Sequence, residues 1–232
     1  MRFLFENWRR YLTEAIDDNS LVATIEKYHE EGQSPIDWRR DDLSDIKDPI
    51  ELRILQAIYL FTSGEWKKVI DPNSKSEATE IVKKLGTLPN PFPERPIYRG
   101  IGRQLEQVKN MTVGQEFDLG VGSSWTNSER IAINFTLSNL KGSKRNNDTA
   151  VLFEIRHPKR GSPVYNISKT PDEKEVILGG KIKIIEKSKI IGGDAASKVV
   201  GHKGHLKNKW IPEPTFPDMD DKYFCIILCE TT

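Results

Sequence analysis

The sequence predicts an α+β fold, with a helical first part leading into a strand-rich second part. Three observations carry this. Before position 88 apolar residues recur at helical spacing between recognisable caps; after it they fall in short runs separated by turns. Between the two lies Leu88-Pro89-Asn90-Pro91-Phe92-Pro93, whose prolines forbid a helix from continuing. The strand-like runs do not alternate with helices, so an antiparallel arrangement is expected rather than a doubly wound sheet. The 232 residues are read as one domain, 1–232, with a helical part over 1–90 and a β-rich core over 91–232.

In the first part, Phe5, Trp8, Leu12, Ala15 and Ile16 mark a helix, and Asn19 with Ser20 offers its stop and the cap of a second one ending near Gly32. Asp48-Pro49-Ile50-Glu51 is a strong helix start, with Asp as cap, Pro in the first turn and Glu placed to reach back to free amides. Leu52 to Phe61 is apolar nearly all round, which predicts a buried helix. Ser76-Glu77 opens another helix that closes at Gly86. Strands are expected over Ile97 to Arg99, Glu116 to Leu119, Val151 to Ile155, Val164 to Ile167, Glu175 to Leu178, Lys181 to Glu186 and Tyr223 to Leu228. Ser128 to Leu140 reads as a helix, with Ile131, Ala132, Phe135 and Leu140 on one side; Gly142 to Asp148 has no apolar residue and reads as a surface loop.

Composition narrows the function classes. Apolar residues make up 37% and charged residues 30%, with a net charge of +1, as in a soluble globular chain. The longest apolar stretch, Ile54 to Phe61, is far short of the roughly 18 residues of a membrane span, so no membrane anchor is expected. The opening residues lack the apolar run and cleavage site of a signal peptide, and a cytoplasmic protein is expected. Cys225 and Cys229 on one strand would stand about 13 Å apart, too far for a disulfide, in keeping with a reducing compartment. With His202 and His205 they make only a loose zinc set, and no metal is expected. Residues 1 to 60 carry thirteen acids against eight bases, whereas 179 to 210 carry eight lysines against Glu186 and Asp194. Those lysines solvate sheet edges, or they face an acidic partner such as nucleic acid or a phosphorylated cofactor.

Three distant segments hold the candidate chemistry. Ile97-Tyr98-Arg99-Gly100 places an arginine at the end of a strand entering the core, where a buried cation needs a partner: a phosphate in a two-pronged grip, or a structural carboxylate. Gly122 to Ser128 puts small hydroxyl side chains on a strand leading into a helix, where they can orient another polar group or simply make a turn and a cap. Ser168 to Leu178 contains Glu173 and Glu175, which an extended backbone would present on one side, as an active pair or as an acidic turn neutralised by Lys174.

Together these segments resemble the mono-ADP-ribosyltransferases of the arginine, serine, glutamate class, in order and in spacing. Tyr98-Arg99-Gly100 corresponds to the arginine motif, and Ser124-Trp125-Thr126 to the Ser-x-Ser/Thr motif, with Ala132 and Phe135 behind it. Glu173-Lys174-Glu175 corresponds to the Glu-x-Glu motif, ending a loop that starts near Tyr165. The likeness covers roughly residues 90 to 190. It implies a helical layer packed on two antiparallel sheets with NAD in the cleft between them. The site it implies consists of Arg99, Ser124, Glu173 and Glu175 as catalytic residues, and of Tyr98, Arg99, Gly100, Ser124, Trp125, Thr126, Phe135, Arg145 and Glu175 around NAD. Trp125 stands where the family usually has Thr, and there it would narrow the cleft or supply a stacking surface.

The implied reaction cleaves NAD, releases nicotinamide and transfers ADP-ribose to an arginine of a target protein. The leaving group departs neutral, so the need is to stabilise positive charge growing on the sugar, as in glycoside hydrolysis. Glu175 would do this, oriented by Ser124; Arg99 would hold the phosphates, and the Gly100 backbone would read the nicotinamide amide. Glu173 would take the proton of the incoming guanidinium, and a first Glu in this motif implies arginine as acceptor. The loop with Lys144 and Arg145 would fold over the diphosphate. Phe5 to Arg10 resembles the start of some tailed-phage proteins, which implies a bacterial host protein as the target, in host cytoplasm. The other readings are an NAD glycohydrolase, transfer to a nucleic acid, and an inactive NAD-binding module.

Overall fold

In the computed structural model the chain is described over residues 16–31, 46–63, 66–69, 76–141, 148–168, 170–204 and 222–232. The helix expected over Phe5 to Ala15, the loop 142–147 with Arg145, and His205 lie outside the described residues.

The helical layer follows from its caps. Helix α1 (Asp18–Glu31) is capped by Asp17, whose Oδ1 accepts the Ser20 N–H at 2.7 Å, two and three residues before the expected Asn19 and Ser20. In α2 (Pro49–Thr62) Asp48 caps as expected, accepting from Ile50 and Glu51 N–H at 2.8 and 3.3 Å. Glu51 does not reach back to the amides: it takes Lys27 Nζ at 2.9 Å and the Tyr28 hydroxyl, a charged partner being worth more than a second cap. The short α3 (Trp66–Val69) leads to α4 (Glu77–Thr87), capped by Ser76 through the Thr79 N–H at 3.2 Å. Ile54, Leu55, Ile58, Ile81, Val82 and Leu85 are buried in the resulting core.

The rest is built on strands. These are β1 (Ile97–Arg103), β2 (Glu116–Asp118), β3 (Ser123–Thr126), β4 (Thr149–Ile155), β5 (Ser162–Pro163), β6 (Glu175–Leu178), β7 (Lys181–Lys187), β8 (Ile191–Gly192) and β9 (Tyr223–Thr231). Helix α5 (Leu105–Lys109) follows β1, α6 (Glu129–Lys141) follows β3, and α7 (Gly193–Gly204) follows β8. The α+β class is met, with one correction. The strands expected in two antiparallel sheets join into one mixed sheet, in the order β2-β7-β9-β4-β1-β3-β6-β5, with β8 on β9. The β4–β9 pair is parallel because the chain leaves β4 and returns only after a long crossover through β5 to α7. The sheet nearly divides at one place: β1 and β3 share a single register pair, Tyr98 with Thr126, whereas β1 and β4 share seven.

Val164 to Ile167 is not a strand. Ile167 N–H returns to the Val164 carbonyl at 3.0 Å in a turn, and the two apolar side chains that suggested a strand are buried against the helical layer. The helices α5 and α7 were not expected from the sequence. Gly86 lies inside α4 rather than ending it. A Cβ there would stand 2.6 Å from the Gly179 nitrogen, so this glycine lets the helix touch the end of β6, and the Gly179 N–H donates to the Gly86 carbonyl at 2.8 Å.

Candidate active site

The site lies where the sheet is thinnest. On one side is β1, covered by α6. Gly100 faces that helix so closely that a Cβ would stand 1.7 Å from the Ala132 carbonyl oxygen, so the glycine is required by the packing of α6 on β1. Next to it, Arg99 is half-buried and its Nη1 is wholly buried with no hydrogen-bond partner. Burial, together with the like charge of Arg103, lowers its guanidinium to about 10 against the opposing pull of Glu175, which leaves it a cation at neutral pH. A buried donor of a cation left without an acceptor is costly unless an anion completes it.

On the other side are β3 and β6, antiparallel, with Ser124 opposite Ile177 and Thr126 opposite Glu175. Glu175 is 4% exposed. Burial pushes its carboxyl up to about 7, helped by the nearby charge of Glu173; hydrogen bonds from Ser124 and Ser168 and the charge of Arg99 pull the other way. The structure thus brings Arg99, Ser124, Glu173 and Glu175 together.

Glu173 arrives by a route the extended-backbone argument did not foresee. Pro171–Glu173 is a turn of 3-10 helix, and Lys174 adopts the left-handed region with φ 50° and ψ 51°. Glu173 and Glu175 therefore do not alternate along one strand; the left-handed residue swings the chain from the turn into β6. A lysine held there is a local strain of the kind that functional turns carry. The turn is pinned from β3. Thr126 Oγ1 donates to the Glu173 carbonyl at 2.6 Å and accepts the Ser128 N–H, while the Asn127 N–H donates to the Lys174 carbonyl at 3.3 Å. The Glu173 carboxyl is half-buried, and burial raises its pKa.

The remaining expected site residues divide. Phe135 on α6 is 39% exposed, a free aromatic surface. Tyr98 is half-buried, its hydroxyl raised by burial and by Glu154 and Glu129. Trp125 is a correction: it is 2% exposed, packs in the core with Val176 and Leu178, and its indole N–H donates to Ser123 Oγ at 2.8 Å. On a strand it points away from its neighbours Ser124 and Thr126, so it forms no stacking surface beside them. The Thr126 hydroxyl, for its part, is engaged by the turn. Sequence reasoning passed over Ser168 and Asn127. Ser168 donates to Glu175 Oε2 at 3.2 Å, and the Asn127 Oδ1 is buried without a hydrogen-bond partner. Neither carried a signal beyond its place at the edge of a motif. Among the described residues no group of His, Cys, Asp or Glu is arranged to hold a metal.

Comparison with known proteins adds the architecture. No protein-family model matches the chain, and no curated protein does. Among solved structures it is similar to the ADP-ribosyltransferase Vis in complex with agmatine, at 13% identity and a TM-score of 0.50, over 93% of this chain and 86% of that one. The Vis toxin of Vibrio splendidus in another structure gives 12% and 0.49 over 93% and 86%; the ADP-ribosyltransferase HopU1 of Pseudomonas syringae pv. tomato gives 15% and 0.44 over 88% and 87%. The match extends over the helical layer and the mixed sheet together: this chain has the ADP-ribosyltransferase fold.

Proposed function

We propose that the chain is a mono-ADP-ribosyltransferase that cleaves NAD and transfers ADP-ribose to arginine side chains of proteins. The observation that carries this is a buried carboxylate, Glu175, within electrostatic reach of a half-buried guanidinium, Arg99, whose Nη1 is buried without a partner of its own. That orphaned donor fits a phosphate of NAD, the co-substrate whose glycosidic bond to nicotinamide supplies the ADP-ribose. Arg99 binds a phosphate. Phe135 offers an exposed face for a planar ring. Glu175, held by Ser124, sets negative charge where the sugar becomes positive, in a site dry enough for that charge to count. Glu173, half-buried on its turn, accepts the proton of the attacking guanidinium. The solved complex of Vis with agmatine supports a guanidinium as acceptor.

The test is incubation with labelled NAD and either polyarginine or bacterial lysate, following nicotinamide release and label on macromolecules. Wild type should give both. Glu175→Ala should lose both, while Glu173→Gln should keep slow nicotinamide release and lose the linked label. Equal loss of the two activities in Glu173→Gln would remove Glu173 from acceptor activation. Release without linked label in the wild type would make the chain an NAD glycohydrolase.

A further inference from the structure

Ser168 lies seven residues before Glu175 and is fully buried, 0% exposed. Its Oγ donates to Glu175 Oε2 at 3.2 Å and accepts the Thr170 N–H at 3.1 Å. A serine hydroxyl has one proton, and here it goes to the carboxylate, while a lone pair holds the start of the turn that carries Glu173. The ground on which Ser168 stands is rigid. Val164 and Ile167 are buried in the core of the helical layer, and Asn166 Nδ2 donates to the Tyr28 carbonyl on α1 at 3.0 Å. The Glu175 carboxylate is therefore held from two separate elements: Ser124 on β3, and Ser168 on a segment anchored to the helices.

We propose that Ser168 is a positioning residue for Glu175, fixing the orientation of its carboxylate and favouring its ionised form. The inference rests on the reading of Glu175 as the group that acts on the sugar of NAD. The Thr170 N–H occupies only a lone pair of the Ser168 oxygen, so the buried hydroxyl proton is left to Glu175 Oε2, which accepts it. The bond to Oε2 exists because Glu175 is buried where few other donors reach it. The charged groups that act on Glu175 are Glu173, which opposes its ionisation, and Arg99, which favours it; none from β3, β5 or α4 adds to them among the described residues. Loss of the Ser168 hydroxyl thus removes one of three influences that keep the carboxylate charged.

The experiment is a 13C NMR titration of protein labelled at the Glu carboxyl carbons, with the Glu175 resonance assigned by its absence in Glu175→Gln. It is run beside pH profiles of kcat/KM for nicotinamide release. In Ser168→Ala the Glu175 midpoint should rise by about half a unit to one unit, the size of one ordinary protein hydrogen bond. The alkaline-going limb of kcat/KM should move by the same amount, a loss of about three- to tenfold below the wild-type midpoint and little at pH 9. Ser168→Thr, which keeps the hydroxyl, should keep the wild-type midpoint. A folded Ser168→Ala with an unmoved Glu175 midpoint, or with activity lowered equally at every pH, would overturn the positioning role. If the wild type releases no nicotinamide while the NMR midpoint still moves, the hold on Glu175 stands and the proposed function falls.

Discussion

The two walls of the candidate site are built by different means. The wall that carries Arg99 is β1, locked to β4 over seven residues in a sheet that continues through β9 and β7, with α6 seated on Gly100. The wall that carries Glu175 is short: β3 and β6 pair over four residues, and β6 and β5 over two. There hydroxyl side chains take over from the backbone ladder. Ser123 donates to the Leu178 carbonyl, Thr126 to that of Glu173, Ser162 to that of Leu85, and Ser168 to Glu175 itself. The cation thus sits on a rigid wall, where position follows from the ladder. The carboxylates sit on the shorter one, where position and protonation are set by individual hydrogen bonds, each worth about 1 kcal/mol.

The comparison breaks first at Gly100. Gly100→Ala drives a methyl into the backbone of α6 and should cost at least about 3 kcal/mol, read from urea unfolding, because neither backbone can give way without parting strand from helix. On the other wall, Gly122→Ala meets Val82 Cγ1 at 3.3 Å and Ile177 Cγ2 at 3.4 Å, both side-chain methyls, with the Val82 carbonyl oxygen at 3.8 Å, and should stay within about 1 kcal/mol of wild type. Equal costs would mean the walls do not differ in stiffness.

Glu175→Gln sharpens the comparison through pH. Its carboxyl stands at about 7 in the folded protein against an ordinary 4.5, so the native state holds a proton that the unfolded chain gives up. Stability from this group is whole below pH 4.5 and is lost as pH rises through 7. Glu175→Gln should therefore be no more stable than wild type at pH 4 and more stable at pH 8, by up to about 3 kcal/mol. Thermal melts at the two pH values check this; a gain at pH 4 as large as at pH 8 would contradict it. The smallest effect belongs far from both walls. Asp48→Ala removes the α2 cap and should cost about 1 kcal/mol with no change in NAD turnover.

How much was legible beforehand differs along the chain for a physical reason. Caps and prolines act within one turn of chain, so α2 and α4 could be read closely from Asp48-Pro49 and Ser76-Glu77. The strand around Ser124 was likewise readable as small hydroxyl side chains leading into a helix, yet that did not tell which face is buried; Trp125 went to the core because the larger apolar surface gains most there. Pairing Glu173 with Glu175 by extended spacing failed because the left-handed Lys174 is stabilised from outside its own segment, by Asn127 and Thr126.

By itself the sequence determined the helical and strand-rich halves, the caps, and three motifs whose order implied a site. Those are properties of neighbours in the chain, where propensity and period decide. Only the tertiary structure decided that the sheet is one and mixed, that it thins to a single pair at Tyr98 and Thr126, and that Ser168 holds Glu175. It also decided that the Gly100 glycine is demanded by a helix. Each of these depends on atoms brought together from separate segments, and on the loss of water between them, which makes an unpaired charge or an added methyl costly.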